Sequence, residues 1–291
     1  MRITPIATVL LPIPSLDFDP SEVAISWRVL TARGHQVTFA TPDGRPGTAD
    51  QIMIDGIGLD PWSRVPGLRS IRAIGALLRA NGDARQAYAA MEKDVAFQNP
   101  VRWTDARLED FDGLLLCGGH RARGMREYLE SDVLQRLVVA FFDAGRPVAA
   151  ICHGVLLAAR SLHADGSSVL HGRRTTALTW KQEKAASALA HIGRRWDRDY
   201  YRTYIEEAGQ PAGYMSVEAE VTRALANPAD FIDVPRTDPE YRRKTGGLAR
   251  DTATDARAAW VVEDENYISA RWPGDVHTFA ARFADLLAAH A

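Results

Sequence analysis

The sequence predicts an α/β fold built on a mostly parallel sheet, and three observations carry the prediction. Short apolar runs alternate with stretches of helical periodicity, the signature of strand–helix–strand units whose strands pair in parallel. The apolar run Pro147 to Ile151 stops at Cys152-His153-Gly154 and restarts with helical character through Arg160, as at a sharp strand-to-helix elbow. The 291 residues are 46% hydrophobic and 25% charged, the profile of an ordinary globular chain long enough for one large core or two small ones.

In chain order, Ala7 to Ile13 reads as a first buried strand that ends in a polar loop through Asp19. Asp19-Pro20-Ser21-Glu22 then supplies an N-cap, a first-turn proline and an early acid, and Val23, Trp27 and Leu30 recur at helical spacing, so a helix starts near Pro20 and stops at Gly34. His35 to Ala40 is a second strand, closed by the turn Thr41 to Gly44. From 45 to 107 the sheet pattern lapses into two weakly amphipathic helices, Leu68 to Ala80 and Asp83 to Gln98, an insertion expected to cover one end of the sheet.

The alternation resumes with a strand at Phe111 to Cys117 that ends in Gly118-Gly119-His120. Ser131-Asp132 caps an amphipathic helix running to Gly145, and Pro147 to Ile151 is the strand before the elbow. Arg173 to Leu178 is expected as a further strand leading to Thr179 through Glu183. Residues 193 to 256 turn polar and arginine-rich and are expected as a second insertion, lid or oligomer surface. Ala258 to Val262 and Tyr267 to Arg271 form a late strand pair, and Asp275 to His290 a closing helix.

The formal charge of -2 and a pI near 6.5 give no electrostatic footprint for nucleic acid or an anionic membrane. The aromatics Trp196, Tyr200, Tyr201 and Tyr204 lie among arginines, but Asp197, Asp199, Glu206 and Glu207 cancel the charge. No stretch reaches the length of a membrane-spanning helix, and the N-terminus lacks a signal-peptide pattern. Cys117 and Cys152 cannot build a disulfide framework and suit a reducing cytoplasm. The partner expected is a small molecule. The eight histidines show no paired ligand spacing, and no glycine-rich phosphate loop follows a strand, so neither a metal nor a nucleotide cofactor is expected.

Chemistry concentrates at the elbow. Alone, Cys152 reads as a small buried hydrophobe. Its place at a helix N-terminus, where free N–H groups and the helix dipole favour a thiolate, selects the reactive reading. The glycine pair Gly118-Gly119 either makes a tight turn or brings backbone amides close to a developing anion.

Together, Glu22 in the first helix, Cys117-Gly118-Gly119-His120, Ala149 through Gly154, and Tyr267 through Gly274 resemble the ThiJ/PfpI superfamily, in particular its branch of glutathione-independent glyoxalases and heat-shock chaperones. The resemblance covers about 5 to 44, 108 to 192 and 257 to 290. It implies a single flavodoxin-like three-layer sandwich with helical insertions, and a site at the carboxyl ends of the strands. It further implies Cys152 as nucleophile, His153 as its neighbour and proton carrier, Glu22 as the acid at the thiol, and an oxyanion held by amides of Gly119 and His153. His120 is placed beside that hole. An acid downstream orients the histidine in related proteins, and Glu183 is the nearest candidate here, with Trp180 lining the pocket instead. Cys117 stands where the family usually has proline. A homodimer is expected.

The function this implies is cofactor-independent conversion of a 2-oxoaldehyde to a hydroxy acid. Isonitrile hydration, or another hydrolase or lyase reaction of specialised metabolism, is an alternative on the same fold, and a stress chaperone or cysteine redox sensor is an alternative of another class. Class I glutamine amidotransferases also use an elbow cysteine, but their downstream His-x-Glu pair occurs nowhere in the chain.

Overall fold

A computed structural model describes residues 6–197 and 199–290. Its strands are β1 (Thr8–Pro12), β2 (Leu16–Phe18), β3 (Gln36–Thr41), β4 (Thr48–Ala49), β5 (Val101–Arg102), β6 (Gly113–Leu116), β7 (Val148–Ile151), β8 (Val261–Asp264) and β9 (Tyr267–Ala270). Seven form one sheet in the order β5-β3-β1-β6-β7-β9-β8. All neighbours pair in parallel except the β8–β9 hairpin. β2 and β4 form a separate parallel pair.

The central strands β6 and β7 are buried along their whole length, which requires cover on both faces. Helices Pro20–Ala32, Gly82–Met91 and Val276–His290 form one packed group, and Ala122–Leu129, Asp132–Asp143, His153–Arg160 and Val217–Ala224 form another. This is the flavodoxin-like architecture. Among the described residues, no helix is long and apolar enough to cross a membrane.

The first helix starts where its chemistry dictates: Asp19 Oδ1 accepts the N–H groups of Ser21 at 2.7 Å and Glu22 at 3.0 Å, and Pro20 occupies the first turn. The elbow helix His153–Arg160 lies so close to β6 that a Cβ on Gly154 would sit 2.1 Å from the Leu116 carbonyl oxygen. Only glycine permits that approach.

Several expectations are corrected. Residues 45–107 are not wholly outside the sheet, because they supply the edge strand β5 and the small strand β4. Leu68 to Ala80 is helical only over Ile74–Leu78, and Asp83 to Gln98 divides into Gly82–Met91 and Val95–Gln98. The division falls at Asp94, whose side chain caps the second helix by accepting from Ala96 N–H. Among the described residues, Arg173 to Leu178 forms no strand, and its one ladder contact is a bridge between Thr175 and Phe231.

Candidate active site

The elbow places Cys152 at the carboxyl end of β7 with φ 58° and ψ −123°. That left-handed backbone is costly for a residue with a side chain and persists only where surrounding structure enforces it. Here the enforcement is visible: Cys152 N–H donates to the Ala270 carbonyl at 3.1 Å, and Gly154 locks the helix against β6. The thiol is thereby held beside the first helix and the turn after β6.

Glu22 is fully buried there. Its Oε2 accepts the Gly118 N–H at 2.7 Å, while Oε1 has no hydrogen-bond partner among the described residues. Burial, reinforced by the charge of Asp19, pushes the Glu22 carboxyl well above its ordinary range, and the accepted Gly118 N–H does not overcome this. Asp19 is buried and raised by desolvation as well.

Cys152 departs from expectation. Burial first, then the negative fields of Glu22 and Asp19, push its thiol well up, and the His153 backbone N–H opposes this without reversing it. A helix N-terminus alone does not outweigh desolvation in this setting. Both shifts run toward the protonated form, so the site is biased toward a thiol beside a carboxyl group rather than a thiolate beside a carboxylate.

His153 is buried, with Nδ1 3.4 Å from Cys152 Sγ and Nε2 3.0 Å from Thr203 Oγ1. Burial, followed by the fields of His120, Arg160 and Arg202, lowers its pKa to about 3, so the ring is neutral. Its tautomer follows from the neighbouring bond. Thr203 Oγ1 donates its one hydrogen to the His120 carbonyl at 2.9 Å, so it can only accept from His153. Nε2 then carries the hydrogen and Nδ1 presents a lone pair to the thiol.

The other expected residues separate into two groups. Gly119 and His120 line a cavity of about 180 Å³ together with Cys152, Glu22 and Asp19. His120 stacks on Tyr201 with ring centroids 4.0 Å apart, and burial lowers its pKa to about 4. Its Nε2 lies 3.5 Å from Asp50 Oδ2 and has no hydrogen-bond partner among the described residues. Gly118 is not free to hold an oxyanion, since its N–H is committed to Glu22.

Glu183 and Trp180 belong elsewhere. Glu183 is buried against Arg202, Nε to Oε1 2.7 Å, and accepts the Val217 N–H at 3.0 Å. It anchors helix Val217–Ala224 and does not orient His153; Thr203 occupies that role. Burial raises the Glu183 pKa to about 7. Trp180 packs under the Arg202 guanidinium and against Gly213, outside the cavity lining. Cys117 is buried, its Sγ 3.4 Å from the Glu22 carbonyl oxygen.

Sequence reasoning missed Thr203, Tyr201 and Arg250 as site residues. All three lie in the 193–256 segment, where no local pattern ties them to the elbow. Arg250 lines the cavity and its charge acts on both Asp19 and Glu22. Among the described residues, no three His, Cys, Asp or Glu side chains gather so as to hold a metal ion.

A protein-family model described as ThiJ/PfpI family-like matches residues 13–214, more than half of the chain. Solved structures with a similar fold include glyoxalase III from Candida albicans, at 15% identity and a TM-score of 0.57, covering 98% of this chain and 97% of that one. The 24 kDa Rapid Encystment Protein of Francisella tularensis gives 14% identity and 0.57 over 97% and 99% of the two chains. A ThiJ/PfpI domain protein from Brachyspira murdochii gives 12% and 0.52 over 97% and 96%. No curated protein matches the sequence. Identities of this size carry the fold.

Proposed function

Because the chain belongs to the ThiJ/PfpI-like family, we propose that it is a cofactor-independent cysteine enzyme that converts a 2-oxoaldehyde to a hydroxy acid. The reaction type is the one suggested by the name of the C. albicans glyoxalase III, which shares the fold. The observation that carries the reading is the convergence of three groups at one end of the sheet. A strained elbow thiol, a buried carboxyl group biased toward its protonated form, and a neutral imidazole whose lone pair faces the sulfur all meet there.

In this reading Cys152 Sγ forms a bond to the aldehyde carbon, its proton passing to His153 Nδ1 while Glu22 protonates the aldehyde oxygen. Glu22, now a carboxylate, removes the hydrogen from that carbon, and His153 returns its proton to the neighbouring ketone oxygen, giving an enediol. Glu22 then protonates the ketone-derived carbon and takes back the hydroxyl proton at the sulfur-bearing carbon, leaving a thioester. Water cleaves the thioester, its hydroxyl going to carbon and its hydrogen to sulfur. The net change is addition of one water, with oxidation of the aldehyde carbon balanced by reduction of the ketone. The amides of Gly119 and His153 are the donors we assign to the transient oxygen charge. We take the protein to be cytoplasmic and homodimeric.

The test is a panel of glyoxal, methylglyoxal, isonitriles and simple amides with wild-type and Cys152→Ser protein. Cys152-dependent hydroxy-acid formation is expected with Cys152→Ser inactive but folded; normal turnover by Cys152→Ser removes the mechanism.

A further inference from the structure

The cavity at Cys152 has a mixed lining. Around the thiol it is polar, with Asp19, Glu22 and His120. The remainder is walled chiefly by Met53, Leu77, Leu78, Leu189, Leu248 and Trp272, with Lys181, Gln182 and Arg250 also in the lining. These side chains come from four separate parts of the chain: residues 45–107, the helix Trp180–Gly193, residues 193–256, and the segment after β9. Leu77 and Leu248 are 56% and 71% exposed. Scattered exposed leucines need no explanation. Two that border the same apolar cavity, leading to a reactive thiol, form a lining rather than a scatter.

We infer that the enzyme takes 2-oxoaldehydes bearing a bulky apolar substituent, aryl or branched alkyl, in preference to methylglyoxal, with the substituent seated against Leu77, Leu78, Leu189 and Leu248. The inference rests on Cys152 acting as proposed above, and it adds the substrate class. Water fills such a wall poorly, because apolar cavities offer it few hydrogen-bond partners. An apolar substituent gains transfer free energy in proportion to the area it removes from water, and a methyl group offers far less of that area than a phenyl ring. The insertions set this specificity: Met53, Leu77, Leu78 and Leu248 of the wall all belong to them.

Two measurements test it. The first compares kcat/KM for phenylglyoxal and methylglyoxal with the wild-type full chain; phenylglyoxal is expected to be favoured by about tenfold or more. In the Leu77→Ser/Leu189→Ser double variant the ratio is expected to fall toward one. The second uses uncharged, unreactive α-hydroxyketones and the Cys152→Ser protein, so it does not depend on turnover. By calorimetry, 2-hydroxyacetophenone is expected to bind about tenfold more tightly than hydroxyacetone. Equal binding, or no binding of 2-hydroxyacetophenone, overturns the apolar subsite even if Cys152 is catalytic. Selective binding without turnover of either aldehyde retains the subsite and overturns the reaction instead.

Discussion

Replacing Thr203 with valine removes one oxygen and nearly preserves shape, yet it strikes the group that sets the His153 tautomer. In the native arrangement Thr203 Oγ1 donates to the His120 carbonyl at 2.9 Å and accepts from His153 Nε2 at 3.0 Å. In Thr203→Val the Nε2–H form leaves a buried donor unsatisfied, which costs about 1–3 kcal/mol. The ring escapes by moving its hydrogen to Nδ1, where it confronts the Cys152 thiol and can no longer accept from it. A bias of that size depletes the competent tautomer by about 5- to 150-fold, and kcat/KM should fall by the same factor. Thr203→Ser, which keeps the hydroxyl, should restore most of the loss. Nitrogen-15 chemical shifts of the His153 ring read the tautomer directly. Folded Thr203→Val protein with kcat/KM within about twofold of wild type, or with its hydrogen still on Nε2, refutes the reasoning.

Further outcomes follow from the same geometry. Glu22→Gln keeps an acceptor for the Gly118 N–H but cannot exchange a proton, so kcat/KM should drop by about 100-fold or more with the fold intact, as circular dichroism and steady-state kinetics will report. Gly154→Ala places a methyl 2.1 Å from the Leu116 carbonyl oxygen, and thermal unfolding should show a loss of about 3 kcal/mol or failure to fold. His153 should make stability fall as pH drops below its ordinary 6.5. The unfolded chain takes up a proton there while the folded ring resists until about pH 3, a slope approaching about 1.4 kcal/mol per pH unit, which His153→Gln removes in denaturant titrations at pH 6.5 and 4.5. Glu22 acts oppositely: its folded pKa is raised, so its contribution is present at low pH and lost as pH rises through that folded value. Glu22→Gln should flatten this decline, which begins as pH rises above the ordinary 4.5 of the unfolded carboxyl.

The sheet was legible because its strands are short apolar runs with turn signals at both ends, and buried parallel strands need little else. Asp19-Pro20 marked the first helix to within a residue of its observed start. The errors lie where long-range contacts decide. Thr175 and its neighbours have strand-like composition, but β9 beside them is already paired on both sides by β7 and β8, and among the described residues they make one bridge, to Phe231. At the site, the elbow and Glu22 were readable because a thiol, a glycine and a helix start share one local pattern. Thr203 was not, since a threonine near an unpatterned loop carries no local mark of its contact with a histidine fifty residues earlier. Glu183 misled for the complementary reason: an acid in a first turn is common, and its burial against Arg202 is visible only in three dimensions.

The protonation pattern also weighs between the kinds of function open to an elbow cysteine. Oxidative sensing favours an accessible, low-pKa thiolate, whereas Cys152 is 6% exposed and its thiol is pushed up by burial and by Glu22 and Asp19. Client capture by a chaperone calls for a sizeable exposed apolar patch; Leu77 and Leu248, although exposed, border the cavity above the thiol. Addition to a carbonyl suits the site better. Burial biases thiol, carboxyl and imidazole each toward the neutral form, which lessens the penalty of burying charge before substrate arrives. Bond formation at sulfur can then be matched by proton delivery from Glu22 to oxygen, so the hemithioacetal forms neutral and the proton held on His153 serves the following enolisation. The acids beside the thiol are offset by Arg250, whose charge acts on both Asp19 and Glu22, and Lys181 also lines the cavity. With charges of both signs in the lining, it is the apolar wall that discriminates among uncharged electrophiles.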